Sequence, residues 1–123
     1  MRVPKTLSVA VAAIFLATIF APVAAQENTE PFIIVQHFQH KAYSWDDDMT
    51  PKIEALETVA ESCGLHLFWD FAGKFNDFGE TGGTLVVVDG HYDLSDGAAA
   101  TLLAATQLCF PDAYLKRLSY MGE

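Results

Sequence analysis

Positive charge is what this chain has least of. It holds 7 Lys and Arg against 16 Asp and Glu, a formal net charge of −9. Two of the cations, Arg2 and Lys5, stand ahead of an apolar run; the rest of the chain carries every acidic residue against only Lys41, Lys52, Lys74, Lys116 and Arg117. Such a surface repels nucleic acid and anionic lipid, so neither is expected as a partner.

Catalytic and metal-binding patterns are also missing. Cys63 and Cys109 form no Cys-x-x-Cys, and no Glu-x-x-His is present. Ser44, Ser62, Ser95 and Ser119 lie in no Gly-x-Ser-x-Gly elbow, and Ser8 belongs to the apolar start. Asp46-Asp47-Asp48 lacks the glycine and distal glutamate of a calcium loop. It reads as a solvated run ahead of a helix, where negative charge is favourable. His37 and His40, three residues apart, would send their rings to opposite faces of a strand and share no metal. Asp70, Asp77 and Asp89 would act as acid and base only if the tertiary fold joined them. No enzyme, metal or cofactor is expected.

Long apolar runs are absent as well. Residues 7–20 are apolar but shorter than the roughly 20 residues that span a bilayer. They follow Arg2 and Lys5 and end in Ala21-Pro22-Val23-Ala24-Ala25. A basic start, a short apolar core and small residues make a secretory signal peptide. Residues 1–25 are expected to be removed after Ala25, leaving an exported protein, periplasmic or secreted, with no stable membrane span. Residues 26–30 form a polar lead and 31–123 a single domain.

What is present is apolar surface. The chain is 51% hydrophobic and 12% aromatic, enough to exclude disorder. β-Branched and aromatic runs predict strands over 32–38, 66–71, 84–89 and 113–118. Thr50-Pro51 predicts a helix start, Gly64 its end. Ile53, Leu56, Val59, Ala60 and Cys63 share one helical face, with Glu54, Glu57 and Glu61 on the other. A second helix is expected over 95–108, and residues 73–83 are expected to be a glycine-rich loop. The order β-α-β-β-α-β, with each half built alike, predicts an α+β, ferredoxin-like domain: a four-stranded antiparallel sheet with two helices on one face.

Several segments resemble a known family. Val87, Gly90 and Tyr92 match a strand of the type Val-x-x-Gly-Pro-Phe/Tyr that leads into an alanine-rich helix; His91 replaces the proline. Phe110-Pro111-Asp112-Ala113-Tyr114 matches a corner before a last strand, and Val35-Gln36 a Val-Gln pair in the first; Phe38 replaces a glycine. Over about residues 31–118 the chain resembles the SPOR, or sporulation-related repeat, domain. That resemblance implies binding of peptidoglycan glycan strands stripped of stem peptides. The helix-free sheet face would carry it, through Gln36, with Phe32, Ile34, Phe38 and Val88 beside it and a ring from Trp69 or Phe68. If Val35 and Val87 point at the helices, Val86 and Val88 point away. The same face is aliphatic, so the alternative partner is a periplasmic protein docked on it or on an edge strand.

The cysteines set two arguments against each other. An exported protein with two cysteines usually pairs them. Two helices related by a pseudo-twofold axis would place Cys63 and Cys109 about 20 Å apart, and a disulfide tolerates about 7 Å between Cα atoms. The expected plan therefore predicts unpaired, buried thiols.

Overall fold

The computed structural model describes residues 29–90 and 94–122. The expected signal peptide and its expected cleavage point, and His91 and Tyr92, lie outside the described residues. The order is β1 (Glu30–Phe38), α1 (Met49–Ser62), β2 (Leu67–Phe71), a 3-10 turn (Ala72–Lys74), β3 (Phe75–Asn76), β4 (Thr84–Val88), α2 (Asp96–Gln107) and β5 (Tyr114–Tyr120). The domain is α+β. Its strands form one antiparallel sheet in the order β2-β4-β1-β5-β3. Among the described residues no helix is long and apolar enough to cross a membrane.

The expected four-stranded plan is not matched in full, because β3 adds a fifth strand. Residues 73–83 are more than the expected glycine-rich loop. Their first part instead makes a short helical turn and a two-residue strand, Phe75 opposite Tyr120 and Asn76 opposite Ser119. Gly83 starts the return to β4. Its φ of +87° and the Phe38 carbonyl oxygen, 1.9 Å from where a Cβ would stand, leave room for glycine alone.

Helix boundaries follow local chemistry. Ser95 caps α2, its side chain accepting a hydrogen bond from the Ala98 amide at 3.1 Å. Helix α1 starts earlier than Thr50: Asp48 is its N-cap, and the Asp46 side chain accepts from the Asp48 amide at 3.0 Å. Pro51 then falls within the first turn, where its missing N–H costs nothing. Gly64, with φ +72°, follows the C-cap of α1. Of the expected apolar face, Ile53 and Ala60 are buried, but Val59 is exposed.

Strand β1 is the centre of the sheet and is shared lengthwise. Its first half, Glu30 to Ile34, pairs with β5; its second half, Ile34 to Phe38, pairs with β4. Ile34 lies opposite both Val87 and Tyr114. Because Leu67 lies opposite Val88, β2 begins, β4 ends and β5 begins at nearly one level. The β4–α2–β5 connection therefore leaves the sheet and rejoins it at nearly the same level. The C-terminal ends of both helices meet there, and Cys63 and Cys109 form a disulfide with 6.6 Å between Cα atoms. The expectation of unpaired thiols is overturned. It assumed that the two helices end at opposite ends of the sheet, whereas the half-and-half pairing of β1 brings the starts of β2 and β5 to one level.

Both helices cover one sheet face. Ile33, Val35, Val86 and Val88 pack with Ile53 and Ala60 of α1, with Leu102 and Leu103 of α2 at the margin. The opposite face is closed as well. Phe32, Ile34, Leu85, Val87 and Leu118 pack against Ala72, Phe75 and Phe78 from the β2–β4 connection. Phe32 and Phe75 meet edge to face at 5.7 Å between ring centroids. His37 donates from Nε2 to the Gly82 carbonyl (2.8 Å), and His40 Nε2 is hydrogen-bonded to the Thr84 hydroxyl (2.7 Å). The two histidines thus converge on one corner and hold the connection down.

Candidate functional site

The six residues expected on an open sheet face do not share one. Phe32 and Ile34 point away from the helices as expected, but both are fully buried beneath Phe75 and Phe78. A β-bulge between Ile34 and Gln36 then inverts the alternation. It sets Gln36 opposite Val86 and Phe38 opposite Thr84, so Gln36 is exposed on the helix side of the strand. Phe38 lies at the edge of the helix-side core, with the Lys52 ammonium 5.9 Å from its ring centroid. Val88 and Val86 face the helices, and Val87 faces away, the reverse of the sequence reading. Trp69 is also on the helix side, while Phe68 packs on the opposite face against Tyr120 at 5.2 Å.

The sheet has two edges, β2 and β3. Strand β3 is two residues long, but β2 runs for five. On β2 the groups bonded to β4 alternate with groups directed outward. His66 accepts from the Asp89 amide at 2.8 Å and Ala72 donates to the Gly83 carbonyl at 2.9 Å, which fixes the phase. By that phase Phe68 and Asp70 face β4, and the amides and carbonyls of Leu67, Trp69 and Phe71 face outward. The Phe71 amide is satisfied by the Asp70 carboxylate at 2.7 Å. The same carboxylate accepts from the Tyr120 hydroxyl and sits 3.5 Å from Lys74 Nζ, so it is anchored to the far face. Leu67 and Trp69 are left as the outward-facing rungs.

Beside those rungs runs a cleft. A space of about 330 Å³ lies between α1 and the start of β2, bordered by Glu54, Glu57, Thr58, Glu61, His66 and Leu67. A second of about 150 Å³ continues it, bordered by Trp45, Thr50, Ile53, Trp69 and the same Glu54 and Glu57. Glu54, Glu57 and Glu61 recur every three or four residues, which aligns them along one side of α1. Among the described residues none of the three has an ion-pair partner. Trp45 is 44% exposed, and Trp69 is half-buried.

The glutamate stripe was legible as a polar helical face, and Trp69 as a ring on β2. That α1 lays this stripe beside the free edge of β2 was not legible, because no local pattern says which strand is at an edge. The comparisons with known proteins found no matching family, no matching curated protein and no matching solved structure.

Proposed function

We propose that this chain is an exported binding module whose ligand is an extended polypeptide, added as a sixth strand along β2. The observation that carries the reading is the outer edge at Leu67 and Trp69, left without a partner strand among the described residues and opening on a cleft rather than on flat solvent. A five-residue edge is a template for another strand unless something covers it. Export is supported by the basic, apolar and small-residue start, and by the Cys63–Cys109 disulfide, which persists in oxidising compartments. The role is binding rather than catalysis, and the partner a periplasmic protein. The four longer strands, in the order β2-β4-β1-β5, support reading the domain as a ferredoxin-like core of the SPOR type with β3 added.

A second reading keeps the peptidoglycan glycan as ligand. The two tryptophans bordering the smaller cleft favour it, since sugar rings stack on exposed indoles. The free carboxylates of stripped glycan strands oppose it, because Glu54, Glu57 and Glu61 would repel them.

One experiment separates the two. The purified disulfide-bonded protein is incubated with amidase-treated sacculi and, in parallel, screened against immobilised extended peptides, with amide hydrogen exchange read on the bound state. Peptide binding that slows exchange at Leu67 and Trp69 is the expected result. Co-sedimentation with sacculi, without protection of those two amides by any peptide, replaces the first reading with the second.

A further inference from the structure

The cleft also states the chemistry of its occupant. Resting on the strand-addition reading above, we propose that the peptide is basic, with lysine or arginine at alternating positions facing Glu54, Glu57 and Glu61.

The argument starts from spacing. Alternate side chains of an added strand point to the same sheet face and recur about every 6.6 Å. Three of them span about 13 Å. The stretch of α1 from Glu54 to Glu61 rises about 10 Å. The carboxylates therefore run alongside positions i, i+2 and i+4 of a strand placed on β2, on the face shared by Leu67 and Trp69. Side chains at i+1 and i+3 would lie on the other face, beside Phe68, and are free of that charge requirement.

Electrostatics select the sign. Three carboxylates without ion-pair partners among the described residues border one cleft in a chain of net charge −9. An acidic or neutral strand would lose their hydration and gain no counter-charge. A basic one gains up to three charge-assisted contacts. At the narrow end Trp45 and Trp69 border the same space as Glu54 and Glu57. A guanidinium or ammonium there meets an indole face as well as a carboxylate.

The same charges argue against a second copy of this chain as the occupant. Pairing β2 with β2 about a twofold axis would bring two glutamate stripes to one seam. The chain has no alternating basic segment of its own: Lys116 and Arg117 are adjacent and lie within β5, already paired to β1.

The test uses the disulfide-bonded protein secreted by an exporting host and four synthetic peptides. One has the form Thr-Lys-Val-Lys-Thr-Lys-Val. The second carries Gln for Lys. The third has the same composition with its lysines in one block. The fourth is the first with N-methyl groups on the amides that would bond β2. Fluorescence anisotropy is read at low and physiological salt. The alternating peptide is expected to bind most tightly. The Gln peptide, and the variant Glu54→Gln/Glu57→Gln/Glu61→Gln, should each weaken binding by roughly tenfold, the sum of three modest surface pairs. N-methylation should abolish it. If the Gln peptide binds as tightly as the lysine peptide and N-methylation abolishes both, the edge is a docking site but the basic preference is wrong. If the block and N-methylated peptides bind as well as the alternating one, attraction is unspecific and the proposal fails. If no peptide binds, strand addition fails with it. The three glutamates lie outside the core, so the triple variant is expected to fold, and circular dichroism checks this.

Discussion

Cys63 and Cys109 end two different helices, yet their Cα atoms lie 6.6 Å apart and their sulfurs are joined. The level of the sheet at which they meet is the level of Ile34, where β1 passes from one partner strand to the other. The bridge ties the return of α1 into β2 to the return of α2 into β5.

Removing the bridge should cost a large part of the stability. For a sequence separation of 46 residues, loop-closure entropy gives about 4 kcal/mol. Cys63→Ala/Cys109→Ala, compared with the parent by urea titration, should show most of that loss. Intact mass before and after alkylation without reductant should show no free thiol in the parent. Alkylation of both cysteines in the native protein would refute the bridge.

The closed lower face predicts a second sensitivity. Phe75 reaches Phe32 and Tyr120, with ring centroids 5.7 and 4.9 Å away. Phe75→Ala should destabilise by about 3–5 kcal/mol and expose Phe32 and Ile34, so that a hydrophobic dye binds. An unchanged midpoint with no dye signal would mean that the segment does not pack on the sheet.

Two glycines of the same connection should behave differently. A Cβ at Gly83 would overlap the Phe38 carbonyl oxygen, whereas at Gly79, φ +97°, nothing lies within 4 Å. Gly79→Ala should cost about 1 kcal/mol from backbone strain alone. Gly83→Ala should cost clearly more, because β1 must also move. Equal losses in thermal melts would contradict the close approach.

Tyr114 gives a pH signature. Burial first, and the charge of Glu80 second, raise its hydroxyl above the ordinary value of 10.0. The folded protein then holds this proton more tightly than the unfolded chain does. Its contribution is complete below about pH 10 and is lost as pH rises through the raised value. Tyr114→Phe should flatten the alkaline limb of a stability–pH curve. A limb of unchanged slope would show that other groups produce it.

Most of the elements were legible because each has a local cause. Ser95 caps α2, Gly64 follows the end of α1, and β-branched runs make β1 and β4. The alternation of faces was legible up to Ile34 and then failed. One bulge before Gln36 shifts the remaining residues of β1 to the other face, and nothing in Val35-Gln36-His37 announces it. Residues 73–83 concealed the cover for the same kind of reason: Phe75 and Phe78 are two rings in a glycine-rich stretch until β5 supplies a partner.

The amino-acid order by itself determined the α+β class, the placement of both helices, the acidic balance and the glutamate stripe of α1. These depend on neighbours within a few positions, through caps, turns and 3.6- or 2-residue periods. Only the tertiary structure decided that the cysteines pair, that the helix-free face is closed and that β2 is left with a free edge beside that stripe. The first follows from how β1 divides its length between β4 and β5, the second from the packing of Phe75 and Phe78 and the pairing of β3 with β5, and the third from the strand order. They join residues far apart in the chain, such as Thr29 and Arg117, hydrogen-bonded across 88 positions, and no local pattern encodes them.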